Sequence, residues 1–464
     1  MRRFIPTLLL LATQVALAQP ASDLMRPVIR GPLAERLDAH LRDAAAAGFS
    51  GAVLLAHGDT VLLHQGYGLA DREHGVPVTP ETAFDIGSVT KPFTAAAILR
   101  LQEEGLLSVD DPITRFFSDV PEDKREITVH HLLTHSAGLL DALGGDYEVA
   151  PRDSVVRLAM ASDLAWVPGT RYRYSNVGYT LLGAIVERVS GLGYETYLRE
   201  HVLLPAGMEK TGYVLPGWAE ADVAVGYKDG EQWGRPTEKP WADDGPYWHL
   251  RANGGLIAPL ADLYRWDRAL MRGNVLSSAS QALMFTPHVP ENADSSSFYG
   301  YGWTLFTTAR GTRLAAHDGG NAAFFADVRR YLDEEVVILW ATNDASPYSQ
   351  NLYRQLVRSV WGGTWEPYVA PVVADIDTDV YDDYVGLYQI APAGEVEVTR
   401  DGDRLFIHPP EQSREELLPQ SATRFFARSA PNVIIEFVHD AAGTVEALVV
   451  HQNGGITRAE RGDG

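Results

Sequence analysis

The sequence predicts an α/β sandwich followed by a separate antiparallel β domain. Three observations carry that reading. Strand patterns stand at both ends of the stretch from about 33 to 365, with helical patterns between them, so a single sheet should join the two ends. A segment of prolines and acidic residues with no clear period, "TWEPYVAPVVADIDTD", comes next. Beyond it, short alternating segments with turn signals at Asp401-Gly402 and Ala442-Gly443 replace the helices. A chain of 464 residues, 45% of them hydrophobic, has room for two or three domains and a large core.

In chain order, "FSGAVLLAHGDTVLLHQGYG" reads as two strands, Gly51–His57 and Thr60–Gln65, joined by a Gly-Asp turn. Helical patterns follow at 93–104, 153–161, 178–190, 194–202 and 260–271. Late strands are expected in "GYGWTLFTT", "TRLAAHDGG", "FADVRRYL" and "VVILWATN". In the last part, "YVGLYQI", "EVEVTRDGDRLFIHP", "RFFARS" and "VIIEFVHDAAGTVEALVVHQNGG" alternate as strands of a domain of ordinary size. The boundaries expected are a main domain over 19–365, a linker over 366–378 and a β domain over 379–464.

Composition removes several function classes. A formal net charge of -22 repels phosphate backbones, so nucleic acid is not an expected partner. With no cysteine there are no disulfides, thiolate metal sites or cysteine nucleophiles, and no lipid attachment through cysteine. At the N-terminus, Arg2 and Arg3 precede the short apolar run "FIPTLLLLATQVALA". Ala16-Leu17-Ala18 then supplies the small residues of a signal-peptidase site. The run is short for a membrane span and is interrupted by Pro6, Thr13 and Gln14. The expectation is a cleaved signal peptide over 1–18, no stable membrane anchor, and a mature protein in a bacterial periplasm or outside the cell.

The stretch "DIGSVTKPFTAAAILRLQEEG" carries the first chemical pattern. Proline lacks an N–H and is tolerated only in the first helical turn, so Pro92 sets the helix start near Ser88 or Val89. The Ser88 backbone N–H then has no intrahelical acceptor and can face a ligand. Residues three apart share a helix face, so Lys91 can reach the Ser88 oxygen. A lysine partly buried at a helix N-terminus has a depressed pKa and can take the serine proton. Of the lysines at 91, 124, 210, 228 and 239, only Lys91 has a serine three positions earlier. Chance alone supplies about 0.25 such pairs, and an ordinary N-cap serine beside a surface lysine would look the same.

Two further triplets follow. Tyr174-Ser175-Asn176 sits on a loop before a helical pattern. There a phenol can assist the serine as phenolate or as proton relay, and an amide can contact both substrate and lysine. His317-Asp318-Gly319-Gly320 reads as a strand end, with His317 and Gly319 on one face. Glycines there admit a substrate backbone, and the N–H of Gly320 can join that of Ser88 in an oxyanion hole. Alone, the tyrosine triplet reads more readily as a tyrosine-rich loop packed on the core, and the histidine triplet fits a glycine-rich hairpin turn with an incidental histidine as well.

Taken together, Ser88-x-x-Lys91, Tyr174-x-Asn176 and His317-x-Gly319 resemble, in order and spacing, the serine hydrolases related to class C β-lactamases and penicillin-binding proteins. "ITVHHLLTHSAGL" and "ANGGLIAPLADLYRW" are similar to the same family, and the resemblance covers about 35–365. It implies an antiparallel sheet with a helical subdomain inserted between the sheet's halves and the active site between the two. It also implies acyl transfer without a cofactor. Ser88 would be the nucleophile, Lys91 and Tyr174 the base system, and Asn176, His317, Gly319 and Gly320 the substrate and oxyanion residues. Many relatives carry Lys-Thr-Gly at the third motif. His317-Asp318-Gly319 looks more like the D-aminopeptidases, esterases and other peptidases, and a neutral histidine holds a substrate carboxylate weakly. The expected substrate is a small molecule or short peptide, with a D-amino acid among the candidates. The activity expected is amide or ester hydrolysis, with β-lactamase activity weak or absent. The last domain resembles the small lipocalin-like barrels that follow some of these hydrolases, which can cap a site or mediate homo-oligomers.

Three rival readings stand beside this one. His131 and His135, four apart in "VHHLLTH", could hold zinc on one helix face, but no glutamate completes a His-Glu-x-x-His motif. No Gly-x-Ser-x-Gly elbow of an α/β-hydrolase occurs in the chain. A penicillin- or peptide-binding module with negligible turnover is the non-enzymatic alternative. Finally, the aromatic residues of 213–250, in "GYVLPGW", "EQWGRP" and "KPWADDGPYWHL", could wall a substrate pocket or simply pack a long loop.

Overall fold

A computed structural model describes residues 24–365, 372–390, 394–409, 414–428, 433–452 and 455–462. The expected signal peptide and residues 366–371 of the expected linker lie outside the described residues. The chain divides into two compact units between Ala345 and Ser346.

The first unit is built on a nine-stranded antiparallel sheet. Gly51–His57 and Thr60–Tyr67 form the expected hairpin, joined by the turn at Gly58-Asp59. Val336–Thr342 pairs in full register with Gly51–His57, from Val336 opposite His57 to Thr342 opposite Gly51. Phe325–Tyr331 and Arg313–Gly320 continue the sheet, followed by Thr304–Thr307. The sheet thus closes the first hundred residues onto the last hundred of the unit, as the strand pattern predicts. Its central strands are buried on both faces, since Val336–Thr342 has no exposed residue, and they read as continuous apolar runs. Phe49 stacks on Trp340 at 4.9 Å, and Trp266, Trp303 and Trp340 are fully buried. Each such side chain contributes roughly 1.5–3 kcal/mol by leaving water.

The helical patterns fold as read, with Arg152–Ala161, Asn176–Ser190 and Leu260–Arg272 closest to expectation. Gly191 ends the second of these in the left-handed conformation that glycine adopts without strain. The pattern at 194–202 splits into an α-helical turn, Tyr194–Leu198, and a π-helical turn, Arg199–Leu203. The helix carrying Lys91 begins differently from its sequence pattern. A 3-10 turn over Gly87–Thr90 precedes the α-helix proper, Lys91–Glu103, with Pro92 in its first turn. Between Thr82 and Leu99 every residue is buried except Ser88, which is half-exposed.

The second unit holds an eight-stranded closed antiparallel barrel running from Gly386–Ile390 to Gly455–Arg461. The two end strands pair through Tyr388 and Arg461, which removes the open edges. Inward residues alternate with outward ones, as in Gly394–Asp401, where buried Val396 and Val398 alternate with exposed Glu395 and Glu397. Tyr384, Phe425 and Phe437 fill its core, Tyr384 stacking on Phe437 at 4.0 Å.

Candidate active site

The half-exposed Ser88 lies at one focus of three chain segments. The Lys91 side chain folds back beside it, with Nζ 2.9 Å from Ser88 Oγ. Lys91 is fully buried, and its Nζ has two other partners, Asn176 Oδ1 at 2.7 Å and the Asn253 carbonyl at 2.8 Å. Burial pushes this lysine down to about 7, against the pull of the Asp141, Asp146 and Asp318 carboxylates, which favour its charged form. The Asn176 amide is oriented by Asp141, whose Oδ1 accepts from Asn176 Nδ2 at 3.1 Å, so its oxygen faces Lys91. Asn176 Oδ1 and the Asn253 carbonyl can only accept. A neutral Lys91 therefore spends its two N–H groups on them, and its single lone pair points at Ser88. That arrangement can draw the proton from the serine hydroxyl.

Tyr174 and Asn176 flank the extended Ser175, which caps the following helix by accepting from the Gly178 N–H at 3.1 Å. The helix starts at Asn176, two residues earlier than its pattern suggests. Tyr174 lies beside Ser88, and Lys91 Nζ stands 4.6 Å from the centre of the Tyr174 ring. Burial raises Tyr174 well above the usual phenol range. Of the two roles open to it, the phenolate is therefore disfavoured, and the neutral relay fits.

The strand Arg313–Gly320 brings the third triplet across the Gly87–Ser88 turn. His317 and Gly319 face inward and Asp318 outward, as alternation requires. A side-chain carbon on Gly319 would collide with the Ser88 backbone nitrogen, and one on Gly87 with the Gly320 nitrogen. Only two glycines allow this approach, which sets the Ser88 and Gly320 amides side by side. Gly319→Ala should accordingly cut kcat/KM by about 100-fold or more, the usual cost of an ångström-scale misplacement, while circular dichroism stays native. Wild-type kinetics in that variant would contradict the close approach.

His317 is buried, and both ring nitrogens are engaged. The Asp318 carbonyl, 2.6 Å from Nδ1, must accept from Nδ1–H, so Nε2 accepts from the Tyr299 hydroxyl at 3.0 Å. Burial, and secondarily the Lys91 charge, push this histidine down to about 4. It is neutral across the physiological range.

The rival metal pair is not assembled as a helix face. The helix ends at Leu133, and His135 lies beyond it with φ +55°. His131 Nδ1 accepts from the Thr128 N–H at 3.2 Å, and His135 Nδ1 from the Ser175 N–H at 3.0 Å. The His135 ring packs tilted against Tyr174 at 4.4 Å and so braces the second triplet, a role its sequence context did not suggest. Asp141, Asn253 and Tyr299 were likewise missed. In the aromatic loop, Trp233 packs on Tyr147 and Phe324 beside the site, at 5.6 and 5.9 Å. Trp218 and Trp241 instead border a separate cavity of about 580 Å³ with Tyr213.

Comparison with known proteins agrees with this geometry. A family model described as beta-lactamase matches residues 36–359, and a domain of unknown function (DUF3471) matches 370–460. Penicillin-binding protein 4* of Bacillus subtilis is 29% identical over 457 residues, covering 89% of this chain and 95% of that protein. Esterase EstB of Burkholderia gladioli is 37% identical over 225 residues, 43% of this chain and 56% of that protein. The octameric penicillin-binding protein homologue from Pyrococcus abyssi shares the fold, with a TM-score of 0.63 at 24% identity over 92% of this chain and 99% of that one. With its three motifs converging on one serine and the family match spanning most of its length, the chain belongs to the beta-lactamase family of serine hydrolases.

Proposed function

We propose that this chain is an exported hydrolase that cleaves an amide or ester bond through an acyl-enzyme on Ser88, of the D-amino-acid peptidase or esterase type. The observation that carries the proposal is the placement of buried Lys91 Nζ 2.9 Å from Ser88 Oγ, with the acceptors Asn176 Oδ1 and the Asn253 carbonyl taking its other two positions. Ser88 Oγ attacks the substrate carbonyl carbon and its proton passes to Lys91. The carbonyl oxygen becomes an oxyanion bound by the Ser88 and Gly320 N–H groups. The C–N or C–O bond then breaks, and the departing amine or alcohol takes the proton back through the neutral Tyr174 hydroxyl. Water attacks the acyl carbon in the second half, again giving a proton to Lys91, and the acid product leaves with Ser88 restored. Asn176 keeps one amide N–H for the substrate, and His317 and Gly319 line the strand along which it lies.

Export rests on the N-terminal leader pattern. Among the described residues no helix is long and apolar enough to cross a membrane. The preference for esters and simple amides rests on the third motif, which supplies no cation for a substrate carboxylate. The carboxylates of Asp141, Asp146 and Asp318 already act on Lys91. A penicillin, or an ester whose leaving group bears a carboxylate, should show kcat/KM about 10–100-fold below an uncharged counterpart, each tenfold being about 1.4 kcal/mol. A preference for the carboxylate-bearing member would remove this part of the proposal. The direct test is intact mass after brief exposure to an activated ester, a D-alanine dipeptide analogue and a penicillin. A Ser88-dependent adduct or product is expected from the uncharged ester first. A chain that is neither acylated nor active on any of them fits the binding-module alternative.

A further inference from the structure

Asp85 opens the stretch that carries Ser88, yet the acyl-transfer scheme gives it no task. It is buried, 2% exposed, at the end of the short strand Ala83–Asp85, where it pairs opposite Ile257. One oxygen of its carboxylate accepts the Gly87 N–H at 2.7 Å. The other accepts from Asn321 Nδ2 at 2.8 Å. Asn321 directly follows Gly320, and its own Oδ1 accepts the Ala323 and Phe324 N–H groups, each at 2.9 Å. Its backbone N–H closes the same hairpin onto the Phe324 carbonyl at 3.0 Å. One buried carboxylate thus ties the residue before Ser88 to the residue after Gly320.

We propose that Asp85 and Asn321 form a positioning clamp that fixes the separation of the Ser88 and Gly320 amides, and so sets the oxyanion hole. The proposal rests on the acyl-enzyme reading given above. Neither side chain touches the reacting atoms. Their effect runs through two backbone segments that already meet without room for a side-chain carbon at Gly87 or Gly319. Tight packing alone prevents the segments from moving closer. The hydrogen-bonded carboxylate prevents them from sliding or parting. Oxyanion donors act only when their N–H groups converge on the position of the developing charge, so a small drift costs rate rather than substrate binding.

The chemistry of the pair provides its own test. In Asp85→Asn, an amide nitrogen faces Asn321 Nδ2, donor against donor. In Asn321→Asp, carboxylate faces carboxylate. In the double variant Asp85→Asn with Asn321→Asp, the donor and acceptor simply exchange places. The amide oxygen introduced at position 85 would still accept from Gly87, and the carboxylate introduced at position 321 would still accept from Ala323 and Phe324. Hydrolysis of p-nitrophenyl butyrate is followed at pH 9, together with inhibition by phenylboronic acid, whose serine adduct is tetrahedral and places an oxygen in the hole. Each single variant should lose about 10–100-fold in kcat with KM within about threefold, and boronate affinity should fall in parallel. The exchanged double variant should recover to within about fivefold of wild type. Unchanged kcat in the single variants, or a folded double variant that stays impaired, overturns the clamp. Should a single Asp85 variant fail to fold, Asn321→Ala at the half-buried hairpin position and the double variant read the same quantities. Ser88→Ala is run alongside. Turnover retained there removes the acyl-enzyme reading itself, whereas turnover lost there with unchanged single variants removes the clamp alone.

Discussion

Ser88→Ala should abolish turnover and every acyl adduct while leaving the protein folded. The expected loss in kcat is at least about 10⁴-fold, because loss of the nucleophile leaves only whatever the oxyanion donors and binding supply. Stability should hardly change. The Ser88 side chain is the half-exposed member of a buried run, and the turn beneath it is held by other groups, namely the Gly87–Asp85 bond and a Thr90 Oγ1–H donated to the Gly87 carbonyl at 2.7 Å. The removed hydroxyl leaves Lys91 with Asn176 and Asn253 as partners. Mass spectrometry after exposure to an activated ester should show the unmodified mass, and thermal melting should fall within a few degrees of wild type. Wild-type turnover in this variant would end the assignment of Ser88 as nucleophile.

Lys91→Met should cost nearly as much activity and should reveal the lysine's charge state twice. In the wild type, kcat/KM should rise with pH through an apparent value near 7, where burial holds this amine. The limb belongs to the whole site, since Asp85 is also pushed up to about 7 by burial, so the assignment needs the variant. Lys91→Met should lose about 10³-fold or more in kcat and keep no such limb in its residual rate. The stability readout is independent of catalysis. Lysine's ordinary value is 10.5, and in the folded protein it stands at about 7. Between those values the unfolded chain holds a proton that the folded one has released. Raising the pH removes that advantage of the unfolded state, so the wild type gains stability from about pH 7 to 10.5. The melting temperature of wild type relative to Lys91→Met should therefore climb across that window. A flat difference would mean that Lys91 is protonated in the resting enzyme, and the proton-accepting role would have to pass elsewhere.

What the sequence disclosed and what it hid divide along physical lines. Local geometry was legible. Pro92 fixes a helix start, three-residue spacing puts Ser88 and Lys91 together, and alternation turns His317 and Gly319 inward. The sheet strands and the change of texture into a barrel were legible for the same reason, since period two survives in any context. The 3-10 turn at Gly87–Thr90 was not, because the close passage of Gly319 and Gly320 belongs to another strand. The partners that aim the lysine were hidden more deeply. The Asn253 acceptor is a backbone carbonyl, which any residue could supply. Asp141 and Tyr299 act through side chains brought together only by the folded sheet and helices. The neutral state of His317 likewise depends on burial and on Tyr299, and no motif encodes either.

The pairing of Gly51–His57 with Val336–Thr342 also governs when the molecule can come into being. The central ladder joins segments nearly three hundred positions apart, so closing it is a slow, non-local event in folding. A chain still emerging from the ribosome has no second half to that ladder until Thr342 has been made. It also lacks Gly320, whose amide stands beside that of Ser88, and Asn253, whose carbonyl engages Lys91. Synthesis therefore runs through most of the first unit before all the groups gathered around Ser88 are present. If Ser88 is the nucleophile, a fragment ending before Thr342 should show no turnover, because the central ladder cannot close without that strand.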